Sequence, residues 1–182
     1  MAIILVSDIF GKTPALTKLA KALNAEAIID PYNGEDMSFD NESDAYDYFT
    51  KQVGLDTYFT LLNKAVSAFY STKTLIGFSV GASAIWALSE KESSHKVNNA
   101  VCYYGSQIRN HTEINPLFPI EMIFPKYEAH FDVTALQKKL ATKTQVKIIK
   151  TDYLHGFMNY HSSNYNHNAY LEHLNMLRVL LR

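Results

Sequence analysis

An excess of charge of either sign is missing from this 182-residue chain: 17 lysines and arginines stand against 18 aspartates and glutamates. A nucleic-acid or anionic-membrane partner needs a basic patch. Basic residues thicken only between Lys126 and Lys150, at positions that read as helix surface or strand edge. Neither partner is expected. Cysteine is almost absent as well. Cys102 alone excludes an internal disulfide and suits a reducing cytosol, so a cytoplasmic protein is expected. No apolar run approaches the ~18 residues of a membrane span. The stretch Ala2-Ile3-Ile4-Leu5-Val6 is too short for a secretory h-region and has no basic residue before it. Repeats, low-complexity tracts and linkers are also missing, so residues 1–182 read as one domain, large enough to bury most of its apolar surface. His161, His167 and His173 recur every six residues, a spacing that scatters them around a helix, and no metal site is expected of them.

What the chain does have is alternation. Apolar runs of strand length fall at 2–7, 26–29, 73–78, 99–104, 120–124 and 145–150. Helical patterns separate most of them: Leu16, Leu19, Ala20 and Leu23; Leu55, Phe59, Leu62, Val66 and Phe69; and finally Tyr170, Leu174, Leu177 and Leu181. Strands alternating with helices predict an α/β fold, a mainly parallel sheet of about six strands with helices on both faces. Ligands of such sheets bind beyond the carboxyl ends of the strands. Two segments leaving that edge, 31–44 and 105–119, read as long loops able to wall a pocket. The first holds Asp36, Asp40, Glu42 and Asp44.

The run Gly77-Phe78-Ser79-Val80-Gly81 lies between the apolar Lys73-Thr74-Leu75-Ile76 and a helical stretch at 82–88. A G-x-S-x-G in that setting is the nucleophile elbow of α/β-hydrolases. The turn lifts the serine oxygen above the sheet edge and sets it at a helix N-terminus, where free N–H groups favour developing negative charge. Ser79 is therefore the candidate nucleophile. A serine hydroxyl needs a base to take its proton and a third group to orient that base. In this architecture the order along the chain is serine, acid, histidine.

His155, in Tyr153-Leu154-His155-Gly156-Phe157 just past the last strand, is the candidate base. The acid should follow the fifth strand, which leaves Glu128 and Asp132. Asp132 directly precedes the helical run Val133–Leu140 and makes a natural N-cap. Glu128 has no such role and is preferred; Asp132 stands as the alternative. Asp152 is too near His155 on the same loop to orient it. Two oxyanion donors are expected, the N–H of Val80 and, from the turn after the first strand, that of Ile9. Trp86, Tyr103, Tyr104 and Phe157 are the candidate apolar pocket residues. No cofactor is required.

These segments together resemble the dienelactone hydrolase family, over almost the whole chain. Val6-Ser7-Asp8-Ile9-Phe10-Gly11 is similar to the family's strand followed by E-I-F-G, Tyr103-Tyr104-Gly105 to the segment after the next strand, Glu128-Ala129-His130-Phe131 to the acid turn, and His155-Gly156-Phe157 to the H-G-F around the base. The resemblance implies an α/β-hydrolase fold and acyl-enzyme hydrolysis of a small ester or lactone. It also implies a substrate pocket involving Asp8, Phe10, Tyr104, Phe157 and Asn159. Serine replaces the cysteine of the best-known members, which points to the esterase-like branch. Glu128 stands where aspartate is usual, and Asp8 where the family has glutamate. Asn159 occupies the position of an arginine that holds a substrate carboxylate, so an anionic lactone is not expected. Against the family the chain is short at its N-terminal side. The rival readings are a non-catalytic hydrolase-like binding module, and a thioesterase or peptidase using the same three residues.

Overall fold

A computed structural model describes residues 2–180; Leu181, assigned above to the face of the last helix, lies outside them. Among the described residues six strands form one sheet: β1 (Ala2–Val6), β2 (Ala27–Ile29), β3 (Lys73–Phe78), β4 (Val97–Tyr103), β5 (Ile120–Phe124) and β6 (Val146–Lys150). Their order is β2-β1-β3-β4-β5-β6, and every neighbouring pair is parallel. Parallel neighbours need crossovers. α1 (Pro14–Ala22) links β1 to β2, α2 (Glu42–Tyr48) and α3 (Gly54–Ser67) link β2 to β3, α4 (Val80–Leu88) links β3 to β4 and α5 (Val133–Leu140) links β5 to β6, while residues 104–119 join β4 to β5 without an α-helix; α6 (His167–Leu180) closes the described chain.

Successive strand residues point to opposite faces, and both faces are apolar because both are covered. Ile4, Val6, Leu75, Ala100, Cys102, Ile120 and Met122 pack with α3, α4 and α5. Ile3, Leu5, Ile76, Val101, Tyr103 and Ile123 pack with α1 and α6. Thr13 starts α1 by accepting the Leu16 N–H at 3.1 Å, with Pro14 in the first turn where its missing donor costs nothing. Because β1 lies between β2 and β3, the chain leaves it in opposite directions, and a crevice opens at the carboxyl ends of β1 and β3.

Two expectations need correcting. Residues 31–44 are not all loop: α2 begins at Glu42. Asn41 accepts the Asp44 N–H at 2.9 Å as its cap, and Glu42 and Asp44 sit in the first turn, where the helix dipole favours acids. The helix escaped notice because only Ala45 of its seven residues is buried, so it carries no apolar stripe. The buried face of α3 is Tyr58, Leu62 and Val66, whereas Leu55 and Phe59 are only half-buried. Tyr58 is tolerated inside because its hydroxyl reaches the carbonyls of Ser7 and Ile29, each at 3.0 Å.

Candidate active site

Ser79 follows β3 with φ 50° and ψ −112°, a conformation that costs a non-glycine residue roughly 1–3 kcal/mol. Close packing enforces it. A Cβ on Gly77 would lie 2.5 Å from Ile85 Cδ1, and one on Gly81 would lie 2.5 Å from the Val6 carbonyl oxygen and strike that of Ser7. The second contact also fixes the start of α4 against the end of β1. Ser79 N–H donates to the Tyr103 carbonyl at 2.9 Å, which ties the elbow to β4.

His155 approaches from the loop after β6. Its Nε2 lies 3.1 Å from Ser79 Oγ, and its Nδ1 lies 2.7 Å from Glu128 Oε1. A carboxylate only accepts, so Nδ1 carries the proton and Nε2 is left to accept from the serine hydroxyl. Only 11% of the Glu128 side chain and 23% of that of His155 are exposed, which weakens competition from water for this pair. The loops carrying them are joined by Lys126 N–H donating to the Tyr153 carbonyl at 2.7 Å. The His155 carbonyl accepts from Asn164 Nδ2 at 2.9 Å, and the Tyr104 ring packs against the imidazole at 4.8 Å between centroids. Asp132 is elsewhere. It caps α5, accepting from Thr134 and Ala135 N–H at 2.8 and 3.1 Å.

The turn after β1 is held at almost every polar atom. The Asp8 carbonyl accepts from Gly11 N–H and Ser7 Oγ, both at 3.1 Å. The Ile9 carbonyl accepts from Tyr32 Oη at 2.7 Å, and Phe10 N–H donates to Asp8 Oδ1 at 3.0 Å. The N–H of Ile9 is left with no acceptor among the described residues, as is that of Val80. In a trans peptide N–H and C=O point oppositely, so anchoring the Asp8 carbonyl fixes where the Ile9 N–H points.

Asp8 also meets Asn159, which donates from Nδ2 to Oδ2 at 2.6 Å. Burial pushes the Asp8 carboxyl up to about 6, against the pull of its hydrogen bonds to Phe10 and Asn159 and of nearby His155. Asp8, Asn159 and Tyr104 line a cavity of about 430 Å³ between α1, the segment 158–165 and the start of α6. Phe10 and Phe157 are not among its lining residues. Phe10 is buried and stacks on His161, with centroids 5.5 Å apart. Phe157 is fully buried among Tyr103, Tyr104, Tyr153 and His173, because the turn at Gly156 (φ 83°) sends it into the core. Trp86 and Tyr103 are likewise core residues; the indole donates to the His111 carbonyl at 2.7 Å. Burial lowers the His173 imidazole and raises the Cys102 thiol, leaving both neutral.

Sequence reasoning gave Ser7 and Asn164 no role and placed Tyr32 only on the 31–44 segment able to wall a pocket. All three act on backbone atoms of the site, and such contacts leave no local pattern. Only the Asp30-Pro31-Tyr32 turn hinted at one, with Asp30 bonding its own loop at Tyr32 and Gly34 N–H.

The family model described as Dienelactone hydrolase family matches residues 2–181. The uncharacterized protein YczH of Bacillus subtilis (strain 168) is 33% identical over 184 residues, spanning 97% of this chain and 90% of its own length. Solved structures share the fold at low identity. A dienelactone hydrolase-like promiscuous phosphotriesterase, P91, from metagenomic libraries superposes with a TM-score of 0.69 at 12% identity, covering 99% of this chain and 84% of its own. The dienelactone hydrolase from Anabaena variabilis ATCC 29413 gives 0.66 at 13%, covering 98% and 84%. Est1E from Butyrivibrio proteoclasticus, with ferulic acid bound, gives 0.63 at 9%, covering 100% and 88%.

Proposed function

We propose that this chain, which belongs to the dienelactone hydrolase family, cleaves small ester or lactone substrates through an acyl-enzyme on Ser79. The observation that carries the reading is the hydrogen-bonded series Ser79 Oγ, His155 Nε2, His155 Nδ1, Glu128 Oε1 at the end of β3. Ser79 attacks the carbonyl carbon while His155 Nε2 takes its proton, and Glu128 steadies the resulting imidazolium. The free N–H groups of Ile9 and Val80 receive the oxyanion, each such donor being worth roughly 3 kcal/mol in the transition state. Collapse expels the alcohol, which takes the proton from His155. Water deprotonated by the same imidazole then attacks the acyl-enzyme, and carboxylic acid and free serine are restored. No step requires a group beyond these three side chains, the two backbone N–H groups and water. A relative of this fold holds ferulic acid, an aromatic carboxylic acid, in keeping with a small ester as substrate here.

The test is steady-state hydrolysis of 4-nitrophenyl acetate and butyrate. Wild type should turn over at least one, and Ser79→Ala or His155→Ala should lower kcat/KM by several orders of magnitude with the fold retained. Unchanged turnover in Ser79→Ala would contradict the proposal.

A further inference from the structure

The turn after β1 and the segment after His155 each fold around a side chain of their own. Asp8 Oδ1 accepts the N–H of Phe10, two residues on, at 3.0 Å. Asn159 Oδ1 accepts that of His161, again two residues on, at 2.8 Å. Both are Asx turns, in which a side-chain oxygen stands in for a backbone carbonyl. Each leaves the other polar end of its side chain over, and these ends meet: Asn159 Nδ2 donates to Asp8 Oδ2 at 2.6 Å. The rings of the two following residues meet as well, Phe10 stacking on His161 with centroids 5.5 Å apart. Asp8, Phe10, His161 and Asn159 thus close a circuit between two segments 151 residues apart.

The two halves of the circuit carry groups that acyl transfer must hold in register. Ile9, with its free N–H, lies between Asp8 and Phe10 on one half. On the other, Asn159 N–H donates at 2.8 Å to the carbonyl of Gly156, the residue after His155. Among the described residues, the Asp8–Asn159 contact is the one hydrogen bond joining residues 7–11 to residues 155–165. Its ionised acceptor makes it a strong one. Asp8 and Asn159, which the family resemblance implies as substrate-pocket residues, here spend these atoms on each other and on their own turns.

Resting on the hydrolase reading above, we propose that Asp8 and Asn159 are a positioning pair for catalysis. They hold the turn bearing the Ile9 N–H and the loop bearing His155 in one register, and they do not recognise the substrate. An oxyanion donor and a proton acceptor act on the same tetrahedral centre, so their separation matters. A misplacement of about 1 Å is enough to cost roughly 100-fold in rate. Loss of the pair therefore falls on kcat, alike for different esters, whereas loss of a substrate contact falls on KM or on one ester.

The test exchanges the two residues. Asp8→Asn sets two amides face to face, and Asn159→Asp sets two carboxylates face to face. The double variant satisfies all three hydrogen bonds again. Its amide at position 8 accepts from Phe10 N–H and donates to the carboxylate at 159, which still accepts from His161 N–H. Hydrolysis of 4-nitrophenyl acetate and butyrate is followed at pH 8, where a carboxyl raised to about 6 is ionised. Each single variant should lower kcat at least about 10-fold for both esters, with KM within about 3-fold. The double variant should return kcat to within about 3-fold of wild type, a rescue that independent sites do not give. Asn159→Ala, which removes the donor without adding charge, should show the same loss and serves where a single variant does not fold. Folded single variants within about 2-fold of wild type, a loss confined to KM or to one ester, or a double variant no faster than the slower single would each overturn the proposal. Fluorophosphonate labelling of wild type separates the two readings. A labelled Ser79 beside any of these results removes the positioning pair alone. An unlabelled wild type without turnover removes the hydrolase reading, and the pair's catalytic role with it.

Discussion

Glu128 and Asp132 lie four residues apart on one turn and meet entirely different partners. Glu128 is folded in against His155, whereas Asp132 is exposed and spends its carboxylate on the first N–H groups of α5. Their substitutions should separate accordingly. On the proposed mechanism Glu128→Gln removes the charge that steadies an imidazolium and should lower kcat by about 100- to 10,000-fold. Asp132→Asn should leave the rate within a few-fold and cost no more than about 1 kcal/mol of stability, since asparagine also caps helices. Ester hydrolysis beside chemical denaturation checks both; a larger rate loss from Asp132→Asn in a folded protein would reverse the assignment. The division was legible in the sequence because capping is local: a carboxylate immediately before a helical run already has a structural task. Phe157 was not legible. Its neighbourhood marks a turn beside a histidine, but which way the ring points depends on Gly156 and on a core assembled from α6.

At the scale of an element, the turn Ser7–Gly11 shows how much of a site lies in its scaffolding. Its backbone is fixed by Ser7, by the Asp8 side chain and by Tyr32, which arrives from the loop after β2. A Cβ on Gly11 would fall 2.6 Å from the Tyr32 ring, so ring and turn are in close contact. On the proposed mechanism Tyr32 is a positioning residue: through the Ile9 carbonyl it holds the turn whose Ile9 N–H receives the oxyanion. Tyr32→Phe should lower kcat about 10-fold with KM little changed, while the lost hydrogen bond costs on the order of 1 kcal/mol of stability. A stability loss with kcat unchanged would leave Tyr32 a purely structural residue. The elbow could be read from five consecutive residues because its glycines and its flanking strand and helix are contiguous. Tyr32 and the Asp8–Asn159 pair could not, since 151 residues separate Asp8 from Asn159 and only the folded sheet brings them together. The same reasoning explains α2: a surface helix with one buried residue leaves no periodic signature, and Asn41 followed by acids was the one available sign.

Across the whole molecule, alternation of apolar runs with helical patterns was enough to predict a parallel sheet covered on both faces. That covering is visible in Ile3 and Leu5 packing on one side and Ile4 and Val6 on the other. The order of strands was not available from the pattern, because no local signal says that β3 should pair with β1 rather than β2. Yet that order creates the crevice between β1 and β3 where the elbow and the Ile9 turn meet. No helix among the described residues is long and apolar enough to cross a membrane. The central claim is that this scaffold turns one serine into an activated nucleophile. Intact-mass analysis after treatment with a fluorophosphonate tests it most directly, comparing folded wild type, Ser79→Ala and heat-denatured protein. A single adduct on folded wild type, absent from the other two, is the result predicted here. No adduct on folded wild type across reagents of different size, or an adduct that persists in Ser79→Ala, would contradict it.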